Sequence, residues 1–303
     1  MKTILVTGSN GLLGQKLTDL ILAENHFRLV ATGRAADRYP AGGEYQYSEM
    51  DMLDAKSVRE TVTSFQPDVI IHTAAMTNAD QCEQDPVAAE LANVRAVETL
   101  VSICAEFNIQ FIFLSTDFVF DGKNGPYTEL DVPGPLNVYG HNKLEAEEII
   151  KNSTAKWVII RTILVYGVIA DGSRGTIVSW AKNALEKGEV IRVVNDQWRM
   201  PTLAEDLARA CLLAVKKDAH GVFHISGNEY LSIWELVIRI ADFWKLDKSL
   251  IQRISASSLS QPAARPEGTG FILEKAYNEL GYRPHTLEEG FALLEQQMLN
   301  IKN

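Results

Sequence analysis

Along the first half of the chain, short apolar runs alternate with longer stretches whose apolar positions recur every three or four residues. The runs Thr3–Val6, Phe27–Thr32, Val69–His72, Phe111–Ser115 and Trp157–Arg161 are rich in β-branched and aromatic side chains, which predicts strands. The stretches between them predict amphipathic helices. Two have clear starts: Asp54 caps Ala55–Phe65, and Asp85-Pro86 places a cap before a first-turn proline that opens a stretch reaching Phe107. Strand and helix in strict alternation imply parallel strands joined by crossover helices, buried on both faces of one sheet.

Beyond about Tyr166 the alternation loosens into glycine-containing turns, followed by helices with capping boxes at Ser232 to Glu235 and Thr286 to Glu289. The division expected is a nucleotide-binding unit over 1–165, joined by a strand and helix from about 203–225, and a smaller substrate-binding lobe over 166–202 and 226–303. There is no internal repeat and no low-complexity linker, so the lobe is expected to pack directly on the sheet.

Composition changes this picture little. With 46% apolar and 22% charged residues the chain is an ordinary globular protein. The formal net charge of −10, with no offsetting Lys or Arg cluster, argues against nucleic acid and anionic membrane partners. Cys82, Cys104 and Cys211 are odd in number and widely spaced, which fits buried thiols in a reducing cytoplasm and neither a disulfide framework nor a zinc site. No signal-like segment and no membrane-length apolar run is present. No metal-ligand spacing is found.

Chemistry enters directly after the first strand, at Gly8-Ser9-Asn10-Gly11-Leu12-Leu13-Gly14, inside which a helix begins. Glycines let the backbone turn sharply and approach a pyrophosphate, while the first N–H groups of the helix face the anion. A strand-to-helix context makes this a dinucleotide site. The second strand ends Ala31-Thr32-Gly33-Arg34, without the carboxylate that grips the ribose of NAD. Arg34, with Arg38, instead suits a ribose phosphate, so NADPH is expected over NADH.

The second constellation is Tyr139-Gly140-His141-Asn142-Lys143, with Ser115-Thr116-Asp117 at the end of the fourth apolar run. Residues four apart share a helical face, so the Lys143 ammonium can favour ionisation of the Tyr139 phenol, whose unperturbed pKa is about 10. Tyr139 can then pass a proton to a carbonyl oxygen that Thr116 also hydrogen-bonds.

The glycine spacing, with Tyr139 and Lys143 following Thr116, resembles the extended short-chain dehydrogenase/reductase superfamily, which implies a Rossmann-type doubly wound α/β sheet. That resemblance also implies that Asp51-Met52 contacts adenine, that Thr73-Ala74-Ala75 lines the cofactor, that Asn93 supports the lysine and that Lys143 holds the nicotinamide ribose. Within it, Leu114-Ser115-Thr116-Asp117-Phe118-Val119-Phe120-Asp121-Gly122 resembles the signature of dTDP-4-dehydrorhamnose reductases. Arg161-Thr162, Val165-Tyr166-Gly167, Asp196-Gln197, Pro201-Thr202 and Arg265-Pro266 before Thr269 extend the match over nearly the whole chain.

The implied reaction is reduction of a dTDP-4-keto-6-deoxy sugar, with Asp117 near the sugar and also counted among the catalytic residues, and Arg265 near the nucleotide phosphate. A homodimer is one partner the resemblance allows. Two departures stand out. Leu164 replaces an aromatic residue, and Arg199, in Asp196-Gln197-Trp198-Arg199-Met200-Pro201, replaces a glycine. Trp198 and Arg199 are therefore candidate substrate contacts, with a packed loop the competing reading. Two other functions stay open: a regulatory subunit resembling the methionine adenosyltransferase β subunit, and a sugar-nucleotide epimerase or dehydratase. Phe118 in place of an acid after Asp117 weighs against the dehydratase.

Overall fold

Strand β1 (Lys2–Thr7) is followed by α1 (Leu12–Glu24), β2 (Phe27–Gly33), β3 (Gln46–Glu49), α2 (Ala55–Phe65), β4 (Val69–His72), α3 (Ala79–Gln84), α4 (Pro86–Glu90), α5 (Ala96–Phe107), β5 (Gln110–Thr116), α6 (Val138–Lys151) and β6 (Lys156–Thr162). The computed structural model describes residues 1–40, 42–170 and 175–302, with residues 301 and 302 by backbone alone. After β6 come β7 (Val165–Tyr166), α7 (Ile177–Glu186), β8 (Ile191–Val194), β9 (Trp198–Arg199), β10 (Thr202–Leu203), α8 (Ala204–Lys216), β11 (Gly221–Ile225), β12 (Leu231–Ser232), α9 (Ile233–Phe243), β13 (Ile251–Ile254) and α10 (Leu287–Lys302).

Seven strands form one parallel sheet in the order β11-β6-β5-β4-β1-β2-β3. Side chains alternate across a strand, and both faces are covered here, so neighbouring residues enter different cores. Ile4, Val6, Val69 and Ile71 pack with α1 and α8. Leu5, Ile70, Phe111 and Phe113 pack with α2, α5 and α6. The three cysteines are free and buried. This is the doubly wound α/β architecture expected from the alternation.

Two elements differ from the periodicity. Strand β3 is Gln-Tyr-Ser-Glu, a polar edge strand that pairs with Val30–Gly33 and needs no apolar face. The stretch from Pro86 to Phe107 starts as expected, with the Asp85 carboxylate accepting from the Ala88 N–H at 3.0 Å, but it is not one helix. A π turn over Leu91–Arg95 separates α4 from α5. Extra residues in such a turn commonly mark a site where a side chain is re-aimed.

A separate core gathers Tyr166, α7, β8, α9 and α10. A fourth cluster, including Val119, Phe120, Ile163, Met200 and Phe271, joins that lobe to the end of β5. Between β1 and β4 the strand order reverses, and such a switch point opens a crevice at the carboxyl ends of the strands. Among the described residues no helix is long and apolar enough to cross a membrane.

Candidate active site

At the end of β1 the chain needs glycine for steric reasons. Gly8 has φ +69°, and a Cβ there would lie 2.9 Å from Ala74, in the turn after β4. A Cβ on Gly14 would lie 2.4 Å from the Gly8 carbonyl oxygen. Helix α1 therefore starts hard against the loop. Its N-cap residue, Gly11, supplies no side-chain cap, and no acid occupies its first turn. Uncapped first-turn N–H groups without a competing carboxylate fit a dinucleotide pyrophosphate.

The other loop positions divide their work. Leu13 packs against the core of the sheet and Leu12 lies beside Gly167, so these two have only backbone to offer a phosphate. The Asn10 side chain donates to the Ala36 carbonyl at 3.1 Å and accepts from the Arg38 N–H at 2.8 Å, shaping the segment after β2. On that segment Arg34 is exposed and makes no hydrogen bond or ion pair with the described residues.

Thr73 donates to the Thr7 carbonyl at 2.6 Å, holding Ala74 opposite Gly8 with Ala75 following. Asp51 is exposed and accepts from the Leu53 N–H at 3.0 Å, while Met52 packs partly against the core.

Tyr139 and Lys143 lie on α6, whose start is fixed by Asn137: its side chain accepts from the Gly140 N–H at 2.8 Å and donates to the Ala264 carbonyl at 2.7 Å. Gly140 brings this helix onto the strand end, because a Cβ there would sit 2.3 Å from the Phe118 carbonyl oxygen. Tyr139 meets the Phe118 ring edge to face, centroids 6.0 Å apart. Lys143 is buried, its ammonium 3.9 Å from the centroid of Phe113, and burial pulls its pKa down to about 7 although Glu147 opposes the shift. Nearby His72 is held neutral by burial, its pKa lowered to about 3, and its Nδ1 meets the Thr7 hydroxyl at 2.8 Å. Thr116 donates to Asp117 Oδ1 at 3.1 Å and accepts from the Phe118 N–H at 3.2 Å.

Three positions expected to face substrate each have partners within the protein. Asp117 is only 3% exposed, and its Oδ2 accepts from Thr269 and lies 3.7 Å from Arg199 Nε. Burial pushes its carboxyl pKa up, and Arg199 opposes the rise. Arg199 is itself buried: Nη1 donates to the Trp198 carbonyl at 2.7 Å and the Glu267 carbonyl at 3.2 Å, and Nη2 to the Pro266 carbonyl at 2.7 Å. A guanidinium so occupied is an internal clasp rather than an open cation. Arg265 gives its fork to Asp80, at 3.0 and 2.6 Å, so the nucleotide-phosphate contact expected of it requires breaking that pair. Trp198 remains half-buried, its backbone paired with Glu267 and Thr269.

Sequence reasoning overlooked a group behind the helix. Glu147, one turn after Lys143, is fully buried and accepts from Arg161 at 2.9 and 2.7 Å and from Ser115 at 2.6 Å. Arg161 also reaches His224, at 3.4 Å. The available signal was the four-residue ladder Tyr139, Lys143, Glu147, which marks one helical face. Asn93 is buried in the π turn, where it accepts from the Met76 N–H at 2.9 Å and donates to the Met76 carbonyl at 3.0 Å, pinning the segment after Ala75.

A parallel sheet with this glycine loop and this tyrosine-lysine helix defines an extended short-chain dehydrogenase/reductase. The chain belongs to the RmlD substrate binding domain family, which matches it over residues 1–299. A probable low-salt glycan biosynthesis reductase of Haloferax volcanii is 30% identical over 294 residues, 96% of either chain. The methionine adenosyltransferase 2 subunit beta of Bos taurus is 31% identical over 261 residues, covering 84% of this chain and 76% of the relative. Among solved structures, the dTDP-4-dehydrorhamnose reductase of Bacillus anthracis in complex with NADP is 25% identical, with a TM-score of 0.84 over 98% of this chain and all of that one.

Proposed function

We propose that this chain is an NADPH-dependent reductase of a nucleotide-activated 4-keto-6-deoxy sugar, with dTDP-4-dehydrorhamnose the leading substrate and dTDP-L-rhamnose the product. The observation that supports the reading is the seating of α6 against the run that follows β5: a Cβ on Gly140 would lie 2.3 Å from the Phe118 carbonyl oxygen, Tyr139 meets Phe118 edge to face and Lys143 lies over Phe113.

The chemistry a bound NADPH supplies is hydride, delivered to the carbonyl carbon. The loop from Gly8 to Gly14 would hold its pyrophosphate, Thr73 to Ala75 and Asp51-Met52 would line its length, and Arg34 would pair with its ribose phosphate. Tyr139 gives a proton to the developing alkoxide oxygen, Thr116 orients that oxygen, and Lys143 favours the phenolate that remains. The alcohol and the oxidised cofactor result.

Steady-state NADPH oxidation with a panel of dTDP-4-keto sugars tests the reading. Turnover with net NADPH consumption is expected, and a redox-neutral epimerase would show none. A folded, cofactor-bound sample that turns over no nucleotide sugar overturns the proposal. The resemblance to the methionine adenosyltransferase β subunit supports a second reading, a dinucleotide-binding regulatory subunit. Activation of a co-purifying partner enzyme would favour it.

A further inference from the structure

The guanidinium of Arg199 is buried, and partners within the protein engage it on every side. Three N–H bonds run to the carbonyls of Trp198, Glu267 and Pro266, and Nε faces the Asp117 carboxylate. The same carboxylate accepts from Thr269 through Oδ2 and from Thr116 through Oδ1. Segment 266–269 is seated on the other side by Gly122, where a Cβ would lie 2.7 Å from the Glu267 nitrogen and from Pro266. The Gly268 N–H donates to the Gly122 carbonyl at 3.1 Å. Arg199 thus lies between the run that follows β5 and the lobe segment that covers it.

We propose that Arg199 is a positioning residue, acting through Asp117 to fix the Thr116 hydroxyl and to hold segment 266–269 over the end of β5. The inference rests on the reductase reading of this site. A hydroxyl has one proton to give, and Thr116 gives it to Asp117 while accepting from Phe118. How firmly Asp117 keeps that proton depends on what else the carboxylate is bonded to. Arg199 and Thr269 both engage Oδ2 and oppose the rise that burial imposes on the carboxyl, so its pull on Thr116 is reduced. Without the cation, a buried carboxylate lacks compensation and takes up a proton or draws in new partners, and either change re-aims Thr116.

The test uses the full chain with NADPH and dTDP-4-dehydrorhamnose, comparing wild type with Arg199→Met, Arg199→Lys, Asp117→Asn and the Arg199→Met/Asp117→Asn double variant. Arg199→Met is expected to lower kcat between about tenfold and a hundredfold, as small misplacements in active sites do. The NADPH dissociation constant should stay within about twofold, because the loop at Gly8 is untouched. Arg199→Lys, which keeps the charge and loses the fork, should fall between the two, and it serves as the probe if the Met variant does not fold. The double variant should be no slower than Arg199→Met alone, since the two side chains act as one unit.

Without substrate, hydrogen exchange should quicken in Arg199→Met at the amides of Phe118, Gly268 and Thr269 and nowhere in the central strands. Wild-type kcat and exchange in Arg199→Met overturn the inference alone. So does loss of NADPH affinity in step with kcat, or strict additivity in the double variant. No turnover by the wild type on any nucleotide sugar removes the reductase reading, and the positioning role with it.

Discussion

The ammonium of Lys143 lies 3.9 Å from the centroid of the Phe113 ring, on the strand that ends at Thr116. It is therefore solvated by an aromatic face in place of water, and burial lowers its pKa to about 7, with Glu147 and Cys82 opposing the shift. Between that value and the ordinary lysine value of 10.5, the unfolded chain holds a proton that the folded chain lacks. Stability contributed by this group accordingly rises with pH through that window and is lowest below it, where the folded state must bury the charge. Urea midpoints at pH 7 and pH 9 should differ by less in Lys143→Met than in the wild type; an unchanged difference would show that Lys143 is not the titrating group.

Tyr139→Phe removes one oxygen and keeps the ring that packs edge to face on Phe118. General acid catalysis contributes about 10²–10⁴-fold, so kcat should fall by that order while NADPH binding, followed by fluorescence titration, changes little. Equal loss of both would identify the residue as structural.

At Gly140 the limit is space. Gly140→Ala puts a methyl group 2.3 Å from the Phe118 carbonyl oxygen, and the Pro135 ring carbon at 3.0 Å is no flexible neighbour that could yield. Helix α6 has to lift off the strand end, at a cost of roughly 1–3 kcal/mol. Tyr139 and Lys143 travel with it, so activity should drop far more than the melting temperature alone explains.

Behind the helix Glu147 and Arg161 form a buried ion pair. Burial pushes the Glu147 carboxyl up, but the Arg161 fork and Ser115 outweigh it and hold its pKa below the usual range. Glu147→Ala would leave a guanidinium uncompensated in a place 2% exposed, a loss of about 3–5 kcal/mol in urea unfolding. Glu147→Ala with Arg161→Met should recover a large part of it, since removing both charges relieves the desolvation that one alone leaves.

What the sequence disclosed follows from which constraints are local. The strands at Thr3 and Val69 are readable because burial on both faces forces apolar runs, and Tyr139 with Lys143 is readable because four residues make one helical turn. Strand β3 is not, because an edge strand such as Gln46–Glu49 can be polar. The roles of Asp117, Arg199 and Arg265 depend on partners distant in the chain: Thr269 lies 152 residues from Asp117, and Asp80 lies 185 from Arg265. No periodicity records such pairs, so the sequence does not show that an arginine expected to meet substrate also ties two segments together. The π turn at Asn93 is likewise invisible, since its residues fit an ordinary helix.

Cofactor choice turns on the end of β2. A side chain at Gly33 would place its Cβ 2.7 Å from the Tyr47 hydroxyl and 3.1 Å from the Asn10 side-chain nitrogen, so an acid on the strand end would have to displace both. The next residue, Arg34, is exposed and unpartnered among the described residues. The competing carboxylate is Glu49, which pairs with Gly33 in register on β3. If Arg34 pairs with the ribose phosphate, Arg34→Ala should weaken NADPH about tenfold or more, the scale of one charge-assisted contact, and leave NADH unchanged. Glu49→Gln should then alter neither affinity. The reverse pattern, with NADH lost in Glu49→Gln and NADPH indifferent to Arg34→Ala, would assign the chain to NADH.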